Sequence, residues 1–200
     1  MIINKYNLDE KQYIKEETKK TQIVLHHTVS DNDNIKSVID WWESNTERVG
    51  TAYIINKSGQ IYEIFNPKYW AYHIGKGSTK ADNQKSIGIE LVNVGPLEKK
   101  DHKYYWWNGT KEYRGGIFTC SEEWRGNKYY AAYPIEQMLA VSALVKELCI
   151  KFNIPKIINM TYEYKKEYLN WNGIVSHHNL RADKSDVSRA FNYQYFNYGL

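Results

Sequence analysis

The sequence predicts a mixed α/β fold, a central β-sheet flanked by helices, and three observations predict it. Apolar runs of strand length recur along the chain, at Ile23-Val24-Leu25, Ile87 to Leu91 and Ile174-Val175. One long stretch after Pro134 carries apolar residues at helical spacing. Strands and helices mix without strict alternation and without an internal repeat. The 200 residues suit one compact domain, residues 1–200, with room for a full core and one large insertion.

Taken in order, residues 7–17 read as a short polar helix with Asn7 as its cap. Gln22 to Thr28 is a strand, apolar until its two histidines. Asp33 or Asn34 caps a helix running to about Glu47, whose stripe is Ile35, Val38, Ile39 and Trp42. A hairpin follows, Ala52 to Ile55 and Gln60 to Ile64, turning at Asn56-Lys57-Ser58-Gly59. Trp70 to Ile74 is a short strand entering the loop 75–78. In the strand Ser86 to Val92, period-two alternation puts Ile87, Ile89 and Leu91 on one face and Gly88 and Glu90 on the other. Residues 94–132 break the pattern and read as an aromatic-rich insertion, a hairpin lying over the domain. Pro134 opens the longest helix, to about Asn153, with Ile135, Met138, Leu139, Val141, Leu144, Val145, Leu148 and Phe152 as its buried side. Ile174 to His177 is the last core strand, and Val187 begins a terminal helix.

Composition narrows the function classes. A hydrophobic fraction of 42% excludes a disordered chain. The formal charge of +4 comes from scattered basic residues, which suits an anionic surface or polymer better than nucleic acid; no nucleic-acid partner is expected. The 18 Tyr and 7 Trp, many between Tyr104 and Tyr133, suggest a binding groove, because aromatic planes stack on flat rings. Cys120 and Cys149 are too few for a disulfide framework. The first residues lack the apolar core of a signal peptide, and no run approaches membrane-spanning length. The expectation is a monomer made in the cytoplasm, without a membrane partner, reaching other compartments only if released.

The candidate chemistry lies at two strand ends. His26-His27 closes one apolar run and His177-His178 another, with Asp183, Lys184 and Asp186 close behind. Two imidazoles from distant strands and a carboxylate form the ligand set zinc prefers when one position is left open for water. Adjacent strand residues face opposite sides, so one histidine of each pair can ligate; periodicity alone does not say which. Asp186 also reads as the N-cap of a helix from Val187, and Asp183 competes with it on spacing. Lys184 and Glu90 read equally as solvated charges, and His73 as a loop histidine.

Several segments, in collinear order, carry a resemblance. They are Ile23 to Thr28, Tyr53 to Gly59, Ala71-Tyr72-His73-Ile74-Gly75, Ser86 to Leu91, the 134–153 helix, and Ser176-His177-His178-Asn179-Leu180 followed by Lys184-Ser185-Asp186. Together they resemble the zinc-dependent N-acetylmuramoyl-L-alanine amidases of the type-2 amidase superfamily, which includes phage endolysins, recycling amidases and peptidoglycan recognition proteins. The resemblance covers most of the chain outside 94–132.

The resemblance implies Zn2+ held by His26, His177 and Asp186, with Glu90 handling the water proton and Lys184 stabilising charge on the carbonyl oxygen. Other branches of the superfamily have a tyrosine where this chain has Thr51, and those branches lack the glutamate. Asp186 is followed by Val187-Ser188 rather than the usual Pro-Gly, and the spacing from His177 to Lys184 is about one residue short, so Asp183 is the alternative ligand. Peptidoglycan or a muropeptide is the implied substrate, touched by His73, Thr51, Trp106 and Trp107. The implied setting is a phage or prophage lysin acting on the cell wall after release through a separate pore. A recycling amidase and a non-catalytic peptidoglycan-binding module are the alternatives.

Overall fold

The computed structural model describes residues 1–200 and contains two sheets. The larger has six strands: β1 (Ile3–Lys5), β2 (Gln22–His27), β3 (Tyr53–Ile55), β4 (Ile61–Glu63), β5 (Ser86–Leu91) and β11 (Gly173–Ser176). Their order is β1-β4-β3-β5-β2-β11. Strands β3, β5, β2 and β11 run parallel, so four carboxyl ends lie along one sheet edge. Helices α1 (Lys36–Ser44), α2 (Lys80–Gln84), α3 (Ile135–Phe152), α4 (His177–Leu180) and α5 (Tyr193–Tyr198) complete the frame. No helix is long and apolar enough to cross a membrane.

The alternation along β2 and β5 divides the sheet into two unlike faces. Ile23, Leu25, Ile87, Ile89 and Leu91 join the main core with α1 and α3. On the other face, Val24 and Val175 meet Ile74, Leu169 and Leu180 in a much smaller cluster. That thin cover ends at His26, and the site begins there.

The second sheet occupies the 94–132 segment. It comprises β6 (Pro96–Lys100), β7 (Lys103–Trp106), β8 (Glu112–Tyr113), β9 (Ile117–Trp124) and β10 (Asn127–Ala131), all antiparallel, in the order β8-β7-β6-β10-β9. The expected single hairpin is thus a five-stranded sheet. Its turns at Asp101 and at Arg125-Gly126 use positive φ without an Asn-Gly or Asp-Gly pair, and the one such pair in the segment, Asn108-Gly109, lies in the longer β7–β8 connection.

Other elements differ from expectation for identifiable reasons. Residues 7–17 hold only a 3₁₀ turn, Glu10–Gln12, because the segment has no apolar stripe for a helix to bury. Trp70 to Ile74 makes isolated bridges rather than a strand. Helix α2 was not expected; Thr79 and Asp82 form a capping box at its start. On α3, Ile135 and Leu139 are exposed, and Gln137 is buried instead, donating to the carbonyls of Ile55 and Val92. The terminal helix starts at Tyr193 rather than Val187, since Val187, Ser188 and Phe191 are drawn into the core in irregular backbone.

Candidate metal centre

The parallel strands bring the chemistry to one place. His26 on β2 and Glu90 on β5 are register partners near the carboxyl ends of adjacent strands. His177 opens α4 directly after β11, the other neighbour of β2. Open α/β sheets bind ligands at the carboxyl ends of their strands for this reason: the loops there converge. The chain then folds back over α4, with the His178 N–H donating to the Asp186 carbonyl at 2.7 Å, and this return delivers the Asp186 side chain.

Three buried ligand atoms result. His26 Nδ1 and His177 Nδ1 are 3.0 Å apart; Asp186 Oδ2 is 2.9 Å from His177 Nδ1 and 3.3 Å from His26 Nδ1. Tetrahedral zinc with nitrogen and oxygen ligands at about 2.0–2.1 Å separates those ligands by about 3.3 Å. The triangle therefore fits such an ion.

The hydrogen bonds around the triangle agree. His177 Nε2 donates to the Ile74 carbonyl at 2.8 Å, which leaves its Nδ1 as a bare lone pair in the neutral ring. His26 Nε2 lies 3.0 Å from His73 Nδ1, so its Nδ1 also faces inward. Burial, then the proximity of His177, pushes the His26 pKa down to about 4 against the pull of Asp186, and the ring is neutral at neutral pH. With both rings protonated on Nε2, two imidazole lone pairs and a carboxylate oxygen face one another, the donor set of a cation site.

Glu90 lies beside this centre in the same cleft. Its Oε2 is buried without a hydrogen-bond partner. Burial, reinforced by Asp186 and opposed by Lys184, pushes its pKa well above the ordinary glutamate value. A carboxyl group so raised is suited to carrying a proton near neutral pH.

The cleft has a volume of about 570 Å³ and is also lined by Thr51, His73, Lys184, Trp41 and Trp107. Thr51 reaches it, but its hydroxyl donates to the Tyr53 carbonyl at 3.0 Å. Trp107 is 57% exposed at the turn after β7. Trp106 does not line the cleft: it is the register partner of Leu97 and packs on the small Val94–Leu97–Tyr113 cluster. Trp41, also 57% exposed, lines the cleft from α1. Sequence reasoning missed it, and its signal was an aromatic one position off the apolar stripe. A second cleft of about 540 Å³ adjoins through His73, His177 and Lys184, and is lined by Lys76, Lys80 and Arg181.

The second histidine of each pair stays outside the triangle, although His27 lines the cleft. His27 Nδ1 is hydrogen-bonded to the Tyr133 hydroxyl at 3.0 Å, and that oxygen also accepts from the Ser188 N–H. His178 Nε2 donates to the Thr161 carbonyl. Asp183 lines the cleft but is exposed and paired with Arg181 at 2.5 Å, outside the His26–His177–Asp186 triangle.

A family model described as N-acetylmuramoyl-L-alanine amidase (Amidase_2) matches residues 16–189. No curated protein matches the chain by sequence. Among solved structures, the chain is similar to the endolysin amidase LysCS from Clostridium intestinale URNW, at 16% identity over 98% of this chain and 93% of that one, with a TM-score of 0.54. It is similar to PlyL at 15% identity, covering 92% and 85%, TM-score 0.54. The E. coli amidase AmiD, solved with anhydro-N-acetylmuramic acid-L-Ala-D-gamma-Glu-L-Lys, shares 20% identity over 92% of this chain and 59% of AmiD, TM-score 0.58. At these identities the likeness establishes the fold.

Proposed function

The chain belongs to the N-acetylmuramoyl-L-alanine amidase family, and on that premise we propose that it hydrolyses its amide with a zinc ion held by His26, His177 and Asp186. The observation that carries this reading is the triangle of bare Nδ1, Nδ1 and Oδ2 atoms at 2.9–3.3 Å beside an unpartnered buried carboxyl. Held by these residues, zinc would supply an acidified water and a Lewis acid for the scissile carbonyl.

The remaining steps fall to the chain's own groups. Glu90 takes the proton released in the attack and returns it to the departing L-alanine nitrogen, work its raised pKa favours. Lys184, which lines both clefts, offsets the charge growing on the carbonyl oxygen. Trp41 and Trp107 offer flat apolar faces to the sugar, and Lys76, Lys80 and Arg181 offer positive charge to the carboxylates of the stem peptide.

The substrate in this reading is peptidoglycan or a muropeptide, and the setting is that of a lysin released to the wall through a separate pore. Likeness to an endolysin amidase supports the setting. The test incubates purified protein with cell walls and looks for free stem peptides by mass spectrometry. Release that stops with chelator and returns with zinc is expected. Wall binding without release would contradict the reading and indicate a binding module.

A further inference from the structure

Both ligand histidines direct their outward nitrogens at the same two residues. His26 Nε2 meets the side chain of His73, and His177 Nε2 meets the carbonyl of Ile74. Neither contact touches the triangle itself, and both lie on one stretch of irregular backbone. What holds that stretch is a single buried side chain: Asn83 Oδ1 accepts from the N–H groups of His73 and Ile74 at 3.0 and 3.1 Å. Asn83 is 1% exposed, and its Nδ2 is tied in turn to the Thr79 carbonyl and the Ser78 hydroxyl.

The His73 ring is held just as firmly. Ser86 Oγ directs its proton to the carbonyls of Asp82 and Asn83, so it accepts the proton on His73 Nε2 at 2.8 Å. His73 Nδ1 is then a bare acceptor and takes the proton from His26 Nε2. The ring lies over Gly88 of β5, where an added Cβ would stand 3.1 Å from His73 Cγ.

We propose that His73-Ile74 is an orienting strap for both zinc-binding imidazoles, with Asn83 and Ser86 as the positioning residues that fix it. The inference rests on the zinc reading above and deepens it. Without the strap each imidazole is free to place its single proton on Nδ1, donated to Asp186, and a ring in that tautomer cannot ligate. The strap makes that state unfavourable before any metal arrives. Partners of this kind typically alter metal affinity by about 10–100-fold.

The test uses the metal-free full chain and two readouts besides activity. Long-range 15N–1H NMR reports the tautomer of each ring, and competition with a chromophoric chelator reports zinc affinity. In the wild type, His26 and His177 are both expected as Nε2–H. His73→Phe and Ser86→Ala should shift His26 alone towards Nδ1–H and weaken zinc about 10–100-fold. Asn83→Ala should disturb both rings, and Asn83→Asp, which keeps the accepting oxygen, should restore them. If Asn83→Ala does not fold, the first two variants decide the matter. Wild-type zinc affinity and unchanged tautomers in His73→Phe and Ser86→Ala would overturn the strap. Absence of zinc binding by the wild type would instead overturn the metal reading.

Discussion

Glu90, partly buried, and Lys20, buried, are both ionisable residues, and their surroundings assign them opposite kinds of consequence. Glu90 faces the cleft, so Glu90→Gln should leave zinc affinity unchanged and lower kcat on a muropeptide by about 10²–10⁴-fold. Full turnover in that variant would remove it as the proton carrier. Lys20 lines none of the clefts described above; its ammonium donates to the Gln84 carbonyl at 2.7 Å, and burial pushes its pKa down to about 7. The unfolded chain therefore binds more protons than the folded one between about pH 7 and 10.4, and wild-type stability rises with pH across that window. Lys20→Met lacks the charge, and after the lost hydrogen bond it should be more stable by roughly 2–4 kcal/mol at pH 7. The gain should vanish by about pH 10.5, as measured by urea unfolding. An equal gain at both pH values would contradict the assignment. Among the proposed site residues, the two histidine pairs are legible in sequence because each closes an apolar run, while the choice of His26 and His177 within them comes from the resemblance. Asp186 is not, since Asp183 competes on spacing; the decision comes from the backbone bond that folds the loop over α4. Trp41 escapes because an exposed aromatic on a helix carries no periodic signature.

At the level of elements, β5 shows how one strand serves core and site together. Its apolar positions join α1 and α3 in the core, while on the other face Glu90 lines the cleft and Gly88 lies against Thr51 and His73. Gly88 is required by crowding, for a Cβ there would stand 2.7 Å from Thr51 Cγ2 as well as against His73. Gly88→Ala should cost about 1–3 kcal/mol by overpacking and should weaken zinc binding through the displaced His73. Wild-type melting temperature and zinc affinity would contradict this. This alternation is readable from sequence alone, as are the strand of His26, the 53–63 hairpin and α3. The strands of the second sheet are not, because their polar and aromatic residues alternate against a partner surface that local sequence does not reveal. The terminal helix is displaced for the same reason: tertiary burial of Val187 and Phe191 overrides the local start signal.

Across the whole molecule, the second sheet is a support for the site as well as a wall of its cleft. Trp124 packs edge-on to His178 at 5.1 Å between ring centres and donates to the Tyr162 carbonyl. Arg125 donates to the carbonyls of His178 on α4 and of Ala182 in the loop that carries Lys184 and Asp186. The segment that reads in sequence as an insertion thus braces the loop of the proposed third ligand. Trp124→Ala should cost about 3–5 kcal/mol and loosen zinc, although the residue is not one of the three ligands; a variant with unchanged unfolding midpoint would contradict the brace. The central claim is that residues more than 150 positions apart share one ion. Crystals grown with zinc and measured at the zinc absorption edge test it most directly. The account predicts one strong anomalous peak about 2.0–2.2 Å from His26 Nδ1, His177 Nδ1 and Asp186 Oδ2. A peak held by other residues, or none between these three, would contradict it.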